Sequence, residues 1–402
     1  MMRVLIADKF EDSGIDGLRK LGCEVDSEPG LADDSLAEAI KQRKPEILVV
    51  RSTKVTANMV EDSSLSLIVR AGAGYNTIDV AACSANGIYV ANCPGKNGQA
   101  VAELAFGLIL ALDRHIPDNV ADLRTGKWNK KAYSKAKGLY GATLGLVGVG
   151  QIGQEMLPRA KAFGMNVVSY SRWMTPDVAA ALGIGQANSL TELAAQSDVV
   201  SVHVSLRPET KAMLGSEFFG AMRPGSLFVN TSRGEVVDEP ALIEAVKSGK
   251  IRAGLDVFAD EPTGGEGTYS GPLKDLSGVY CTHHIGASTD QAQEAVAAET
   301  VRIVREFINT GFVPNVVNVQ KGETASHLLV VRHRDKVGVL AGVLSALKDD
   351  GASVQEMENI VLKGAQAAIA QISLDKEPSP DCLVKVRMSE DVFATNVLPV
   401  GG

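Results

Sequence analysis

The sequence predicts an α/β protein: parallel sheets covered by helices on both faces, followed by a smaller βαββαβ unit of ferredoxin-like arrangement. Two observations predict it. Short apolar runs alternate with longer amphipathic stretches through roughly the first 310 residues, the pattern of strand–helix–strand units whose sheets are buried on both faces. A segment at 310–323 containing Gly311, Pro314 and Gly322 then reads as a linker, and beyond it the order becomes strand, helix, strand, strand, helix, strand.

Taken in order, strands are expected at 4–7, 47–51, 67–70, 88–91, 143–147, 166–170, 199–203, 226–230, 253–257 and 279–281, with helical patterns between many of them. In the helical stretch after Asn97, the residues Val101, Leu104, Ala105, Leu108 and Ile109 fall on one face and read as core. The last unit is expected as strand 327–333, helix 336–348, strands 354–362 and 367–374, helix 381–388 and a final strand near 392–398. The sequence shows no long-period repeat and no low-complexity tract.

Composition excludes several classes. The net charge of −8 does not suit a chain built to grip nucleic acid or an anionic membrane. The longest apolar run, 104–112, ends at Asp113 and Arg114 and is too short to span a bilayer. The first residues are too briefly apolar for a signal peptide and suit a first strand. The five cysteines are odd in number and form no C-x-x-C pair, so neither a disulfide framework nor a zinc site is expected. A reducing cytoplasm is the expected compartment.

The most informative motif is Gly148-Val149-Gly150-Gln151-Ile152-Gly153, directly after an expected strand and opening an expected helix. This is G-x-G-x-x-G in the setting of a Rossmann-type dinucleotide site. Gly148 permits a tight turn, Gly150 lets backbone approach a pyrophosphate, and Gly153 lets helix and strand pack closely. The helix start offers free N–H groups and a positive dipole end to the phosphates. NAD sites usually place an acid at the end of the second strand. Here Ser171 and Arg172 stand there instead. Ser171 suits a ribose hydroxyl and Arg172 suits a 2′-phosphate or an adenine face, so the residues leave NAD and NADP both open.

Three later strand ends carry reactive groups: Arg233, Glu261, and the pair His283-His284. Oxidation of a hydroxy acid needs a cation for the carboxylate, a base for the hydroxyl proton and a cofactor beside the carbon that loses hydride. Arginine, glutamate and histidine at successive strand ends of one sheet can supply the first two.

These segments, V-N-T-S-R-G-E-V-V-D-E at 229–239, L-D-V-F-A-D-E-P at 255–262 and H-H-I-G-A-S-T at 283–289, resemble the D-2-hydroxyacid dehydrogenase family, as does the fingerprint at 147–153. The match spans nearly all of the first 320 residues. The resemblance implies that Arg233 binds the substrate carboxylate, that His284 is the general acid/base, and that Glu261 orients His284 and raises its pKa. It implies that Asp256 contacts the nicotinamide carboxamide and that Gln151, Ile152, His203, Thr231 and Gly286 join the cofactor site. Where the family usually has proline before the histidine, this chain has His283; the in-frame I-G-A-S-T favours His284 as the acting imidazole. The family mostly uses NAD, which tips the cofactor expectation to NAD over NADP. The implied fold is discontinuous: residues 1–96 and 286–318 form a flavodoxin-like substrate domain, 97–285 the Rossmann-type domain, and 325–402 the last domain.

For the substrate, Ala73 and Gly74 lie in a glycine-rich turn able to cradle a carboxylate, and Asn97 resembles the family's residue at the cleft. Arg51, Ser52 and Lys54 at another strand end suit a phosphate dianion. The opening residues and this segment are similar to family members that oxidise 3-phosphoglycerate, the entry to serine synthesis. The tail resembles an ACT domain, an amino-acid-sensing module or equally a structural pairing module, with His333, Asp335 and Ser353 at the positions of its effector ligands, and implies a homo-oligomer. Three other readings remain open. One is an NADPH-dependent glyoxylate or hydroxypyruvate reductase, which Ser171-Arg172 favours. Another is an NAD(H)-binding corepressor scaffold, whose characteristic tail nothing in this sequence resembles. The third is a non-catalytic amino-acid-binding regulator.

Overall fold

Short Val/Ile/Leu runs become strands where both faces are covered. The computed structural model describes residues 1–262, 267–320 and 325–400; Gly322 of the expected linker and residues 401–402 of the expected last domain lie outside them. Strands β1 (Arg3–Ile6), β2 (Glu24–Ser27), β3 (Ile47–Val50), β4 (Leu67–Arg70) and β5 (Tyr89–Asn92) form a parallel sheet of order β2-β1-β3-β4-β5, the flavodoxin-like order. A second parallel sheet holds β6 (Thr143–Val147), β7 (Asn166–Tyr170), β8 (Gly185–Gln186), β9 (Val199–Val202), β10 (Ser226–Asn230), β11 (Ile251–Leu255) and β12 (Val279–Cys281), in the order β12-β11-β10-β9-β6-β7-β8. That is the doubly wound order, with the switch of direction beside β6.

The first sheet buries Leu5, Leu48 and Ile68 against Leu36 and Ile40 on one face, and Val4, Val49 and Val69 against Leu18, Ile303 and Val304 on the other. Ile303 and Val304 belong to the helix Asp290–Thr310, so the chain returns to the first sheet after completing the second. Each such buried aliphatic side chain contributes about 1.5–3 kcal/mol of transfer free energy, which holds this late helix far from its neighbours in sequence. Two strands escaped the sequence pattern. β2 is an edge strand whose residues alternate between exposed and half-buried, and β8 has only two residues; neither needs a continuous apolar run.

Residues Met1–Asn318 form one compact unit and Val319–Gly402 another. In the second, β13 (His327–Arg334), β14 (Val354–Val361), β15 (Ala367–Leu374) and β16 (Val392–Pro399) make an antiparallel sheet of order β14-β15-β13-β16. Helices Val339–Asp349 and Pro380–Arg387 cover it through Val343, Leu347, Cys382 and Val386. The first of these helices starts three residues later than the sequence pattern suggests, because Gly338 takes a left-handed φ of 92° as its N-cap. No helix among the described residues is long and apolar enough to cross a membrane.

Candidate active site

The dinucleotide turn sits between β6 and the helix Gln151–Ala162. Gly148 adopts φ +93°, and a Cβ there would lie 2.7 Å from the His203 carbonyl oxygen. A Cβ on Gly153 would lie 2.4 Å from the Gly148 carbonyl oxygen, whereas one on Gly150 would meet nothing within 4 Å. Two of the three glycines are therefore demanded by packing, and Gly150 faces open space over a helix N-terminus. At the ends of β9 and β10, His203 Nδ1 and Thr231 Oγ1 are buried without a hydrogen-bond partner among the described residues. Orphaned buried polar atoms are costly, so this crevice fits a polar group that pairs with them. His203 Nε2 is 2.9 Å from Ser201 Oγ, and burial pushes its pKa down to about 3; it stays a neutral ring. Ser171 is half-buried and Arg172 is exposed, its guanidinium 5.8 Å from the centre of the exposed Trp173 ring. Gln151 turns toward the chain crossing, where Gly95 leaves room for its amide; Ile152 is half-buried.

At the end of the sheet, His284 Nδ1 lies 2.7 Å from Glu261 Oε2, and Nε2 of the partly exposed ring has no partner among the described residues. Glu261 Oε1 accepts a 2.9 Å hydrogen bond from the Phe258 N–H. Burial alone would raise the Glu261 carboxyl. The hydrogen bonds from His284 and Phe258 and the charges of His284 and Arg233 outweigh it and hold the carboxyl below its usual range. Arg233 donates from Nη1 to the Ser232 carbonyl at 2.6 Å, and its Nη2 lies where a Cβ on Gly74 would be. The guanidinium from one sheet thus rests on the glycine turn of the other, because Gly74 has no side chain. Ala73 beside it is half-buried, as is Asn97 at the start of helix Gly98–Arg114.

A residue that sequence reasoning did not assign completes this end. Arg70, last in β4, is largely enclosed, with a buried Nε that has no partner among the described residues. Burial, and then the charges of Arg233 and Arg51, lower its pKa to about 10, so it remains a cation at neutral pH beside two others. Gly72 makes room for its Nη1. Its place before the glycine turn was the available signal, but nothing in the sequence says which way an arginine at a strand end points. The expected phosphate segment is changed in one respect. Ser52 is not free: its hydroxyl and amide, with the amides of Arg51 and Thr53, all donate to Asp8 at the end of β1. Arg51 reaches Gln293 of helix Asp290–Thr310, and Lys54 is exposed.

The expected effector trio is not assembled within one chain. His333 is 1% exposed, its Nδ1 bonded to the Arg334 carbonyl at 2.7 Å and its Nε2 3.1 Å from Asn359 Oδ1. His333 pairs with Ala368, while Ser353 precedes Val354, which pairs with Leu374. Six residues of β15 separate the two positions, about 20 Å at roughly 3.4 Å per residue. Antiparallel pairing of β14 with β15 sends Ser353 to the far end of the sheet, and Asp335 is exposed beyond β13.

Residues 106–286 match the family model described as "D-isomer specific 2-hydroxyacid dehydrogenase, NAD binding domain". Among curated proteins, the chain is 44% identical over 294 residues to a hydroxypyruvate reductase of Thermotoga maritima, covering 72% of this chain and 93% of that one. It is 40% identical over 322 residues to a D-3-phosphoglycerate dehydrogenase of Methanocaldococcus jannaschii, covering 79% of this chain and 60% of that one. The corresponding Mycobacterium tuberculosis protein is 40% identical over 359 residues, covering 88% of this chain and 66% of its own length. The chain therefore spans about 60–66% of the length of these phosphoglycerate dehydrogenases. Among solved structures, a NAD+-bound 3-phosphoglycerate dehydrogenase of Entamoeba histolytica superposes with a TM-score of 0.66 at 26% identity, covering 79% of this chain and 98% of that one.

Proposed function

The chain belongs to the D-2-hydroxyacid dehydrogenase family, and from that premise we propose that it oxidises 3-phosphoglycerate to 3-phosphohydroxypyruvate with NAD, the first step of serine synthesis. The observation that carries the substrate choice is the cluster of Arg51, Arg70 and Arg233: burial first, then the charges of Arg233 and Arg51, lower the Arg70 pKa. Three like charges held together are relieved by a ligand that is anionic at both ends.

Gly148, Gly150 and Gly153 with the helix N-terminus suit the cofactor's pyrophosphate, and the orphaned His203 and Thr231 atoms suit its polar groups. Bound NAD supplies the hydride acceptor. Arg233 holds the substrate carboxylate and polarises the C2 oxygen. His284 Nε2 takes the C2 hydroxyl proton, while Glu261 on Nδ1 keeps the ring in the tautomer that leaves Nε2 free and stabilises the imidazolium that forms. Arg70, with Arg51 and Lys54, receives the phosphate. In the reverse direction, the same imidazolium returns the proton.

The proposed substrate domain comprises 1–96 and 286–318 and the nucleotide domain 97–285. We propose an ACT-type module for 325–402, on the ferredoxin-like strand order of the second unit. We place the enzyme in the cytoplasm as a homo-oligomer; the fully exposed edge strand β14 supports pairing with a second copy.

A second reading has its own observation: Arg172 stands exposed where an NAD site usually has an acid. It favours an NADPH-dependent hydroxypyruvate reductase. The deciding experiment follows reduced-cofactor absorbance with 3-phosphoglycerate and NAD against hydroxypyruvate and NADPH. The proposed function expects the higher kcat/KM with the first pair. No turnover of 3-phosphoglycerate or 3-phosphohydroxypyruvate in either direction refutes it.

A further inference from the structure

We propose that Asp256 is a positioning residue for His284: its buried carboxylate clamps the turn that carries the imidazole, gripping it on both sides. This rests on the dehydrogenase reading for its consequence, though not for its geometry. Asp256 is 1% exposed. Its Oδ1 accepts the Thr282 hydroxyl at 2.6 Å and the Ile285 N–H at 2.9 Å, and its Oδ2 accepts the Gly286 N–H at 2.8 Å. The donors come from residues before and after His284, so the carboxylate spans the turn.

The clamp is itself anchored to the sheet. The Asp256 N–H donates to the Asn230 carbonyl at 3.0 Å, and the Thr282 N–H donates to the Leu255 carbonyl at 2.9 Å. Between these fixed points His284 takes φ +51°, a left-handed conformation uncommon for a residue with a Cβ. Gly286 suits the same contact, since a Cβ there would lie a tight 3.1 Å from Asp256 Oδ2. The ring's partner comes from the same segment of chain: Glu261, fixed by the Phe258 N–H, meets His284 Nδ1. Residues 256–261 therefore hold the histidine twice, by its backbone through Asp256 and by its ring through Glu261.

A carboxylate used in this way differs from one whose task is to hold the nicotinamide carboxamide, and the two are separable. The readout is the neutral imidazole tautomer of His284, from ¹⁵N NMR of the cofactor-free full chain, with the NAD dissociation constant measured alongside. The wild-type ring is expected as the Nδ1–H tautomer, donating to Glu261. Asp256→Asn replaces one acceptor oxygen by a donor and loses at least one N–H bond. It is expected to return His284 toward the Nε2–H tautomer of free histidine and to lower kcat by about 10²-fold, whatever its effect on NAD affinity. An unchanged tautomer with weakened NAD binding overturns the proposal and makes Asp256 a cofactor contact. Thr282→Val, which removes one of the bonds without touching the carboxylate, is expected to move the tautomer the same way by less; no movement in this folded variant also overturns it. Leu255→Ala serves as a control for general loosening and is expected to lower Tm without moving the tautomer; an equal tautomer shift there overturns the proposal. Because the tautomer is read without cofactor or substrate, it decides the clamp even if 3-phosphoglycerate is never turned over.

Discussion

His284 owes its free Nε2 to a single contact, the 2.7 Å bond from Nδ1 to Glu261. Replacing the ring, as in His284→Gln, removes the proposed proton acceptor and is expected to lower kcat by about 10²–10⁴-fold with a smaller change in KM for 3-phosphoglycerate, measured by steady-state kinetics. Glu261→Gln leaves an amide that no longer favours the imidazolium, and the loss is again expected in kcat. The pH dependence of this pair has a definite sign. The Glu261 carboxyl is held below its ordinary 4.5, so the pair is intact above that value and is lost only as pH falls through the lowered one. The wild-type protein should therefore keep the His284–Glu261 contact at pH values where an isolated glutamate is already protonating, which NMR of the Glu261 carboxyl carbon would show. Arg70 governs a different quantity. Arg70→Lys keeps the charge but loses the planar fork; KM for 3-phosphoglycerate is expected to rise by about tenfold or more while NAD affinity stays unchanged.

At the scale of elements, the glycine turn separates folding from binding. A Cβ on Gly153 collides with backbone at 2.4 Å, whereas one on Gly150 enters open space. Gly153→Ala is expected to destabilise by about 1–3 kcal/mol through overpacking, read in a denaturant melt. Gly150→Val is expected to leave the melt unchanged and to weaken NAD binding in a fluorescence titration; equal effects on both would contradict the division. The helix Asp290–Thr310 carries the corresponding lesson for stability. Its Glu299 is 6% exposed; hydrogen bonds from Arg302 lead, then burial opposes, then Asn315 and Lys96 add, and the pKa falls to about 2. A depressed carboxyl stabilises the fold above its unfolded pKa of about 4.3, and the stabilisation disappears as pH falls toward about 2. This is on the order of 3 kcal/mol. Glu299→Gln should therefore cost most near neutrality, and its difference from wild type should close as pH falls through that window, as melts at several pH values would show.

At the scale of the molecule, every residue assigned here to the hydride-transfer site lies within Met1–Asn318, and the antiparallel unit is compact on its own. Each unit has hydrophobic core clusters of its own, which favours separate unfolding. Calorimetry of the full chain is expected to resolve two transitions, and a chain ending at residue 320 is expected to retain the first of them and to bind NAD. A single transition in the full chain, lost on truncation, would show that the units fold as one.

The sequence by itself determined the strand–helix alternation, the dinucleotide turn and the placement of Arg233, Glu261 and His284 just past strands, because each is a local pattern: an apolar run of the right period, glycines at fixed offsets, a reactive side chain just past a strand. Only the tertiary structure decided where the donors and charges go. It committed Ser52 to Asp8 and Asp256 to the His284 turn, brought Arg70 beside Arg51 and Arg233, and sent His333 and Ser353 to opposite ends of a sheet. These outcomes depend on register and on partners distant in sequence. A buried polar group is satisfied by whatever the fold brings within about 3 Å of it, and no local pattern records which group that will be.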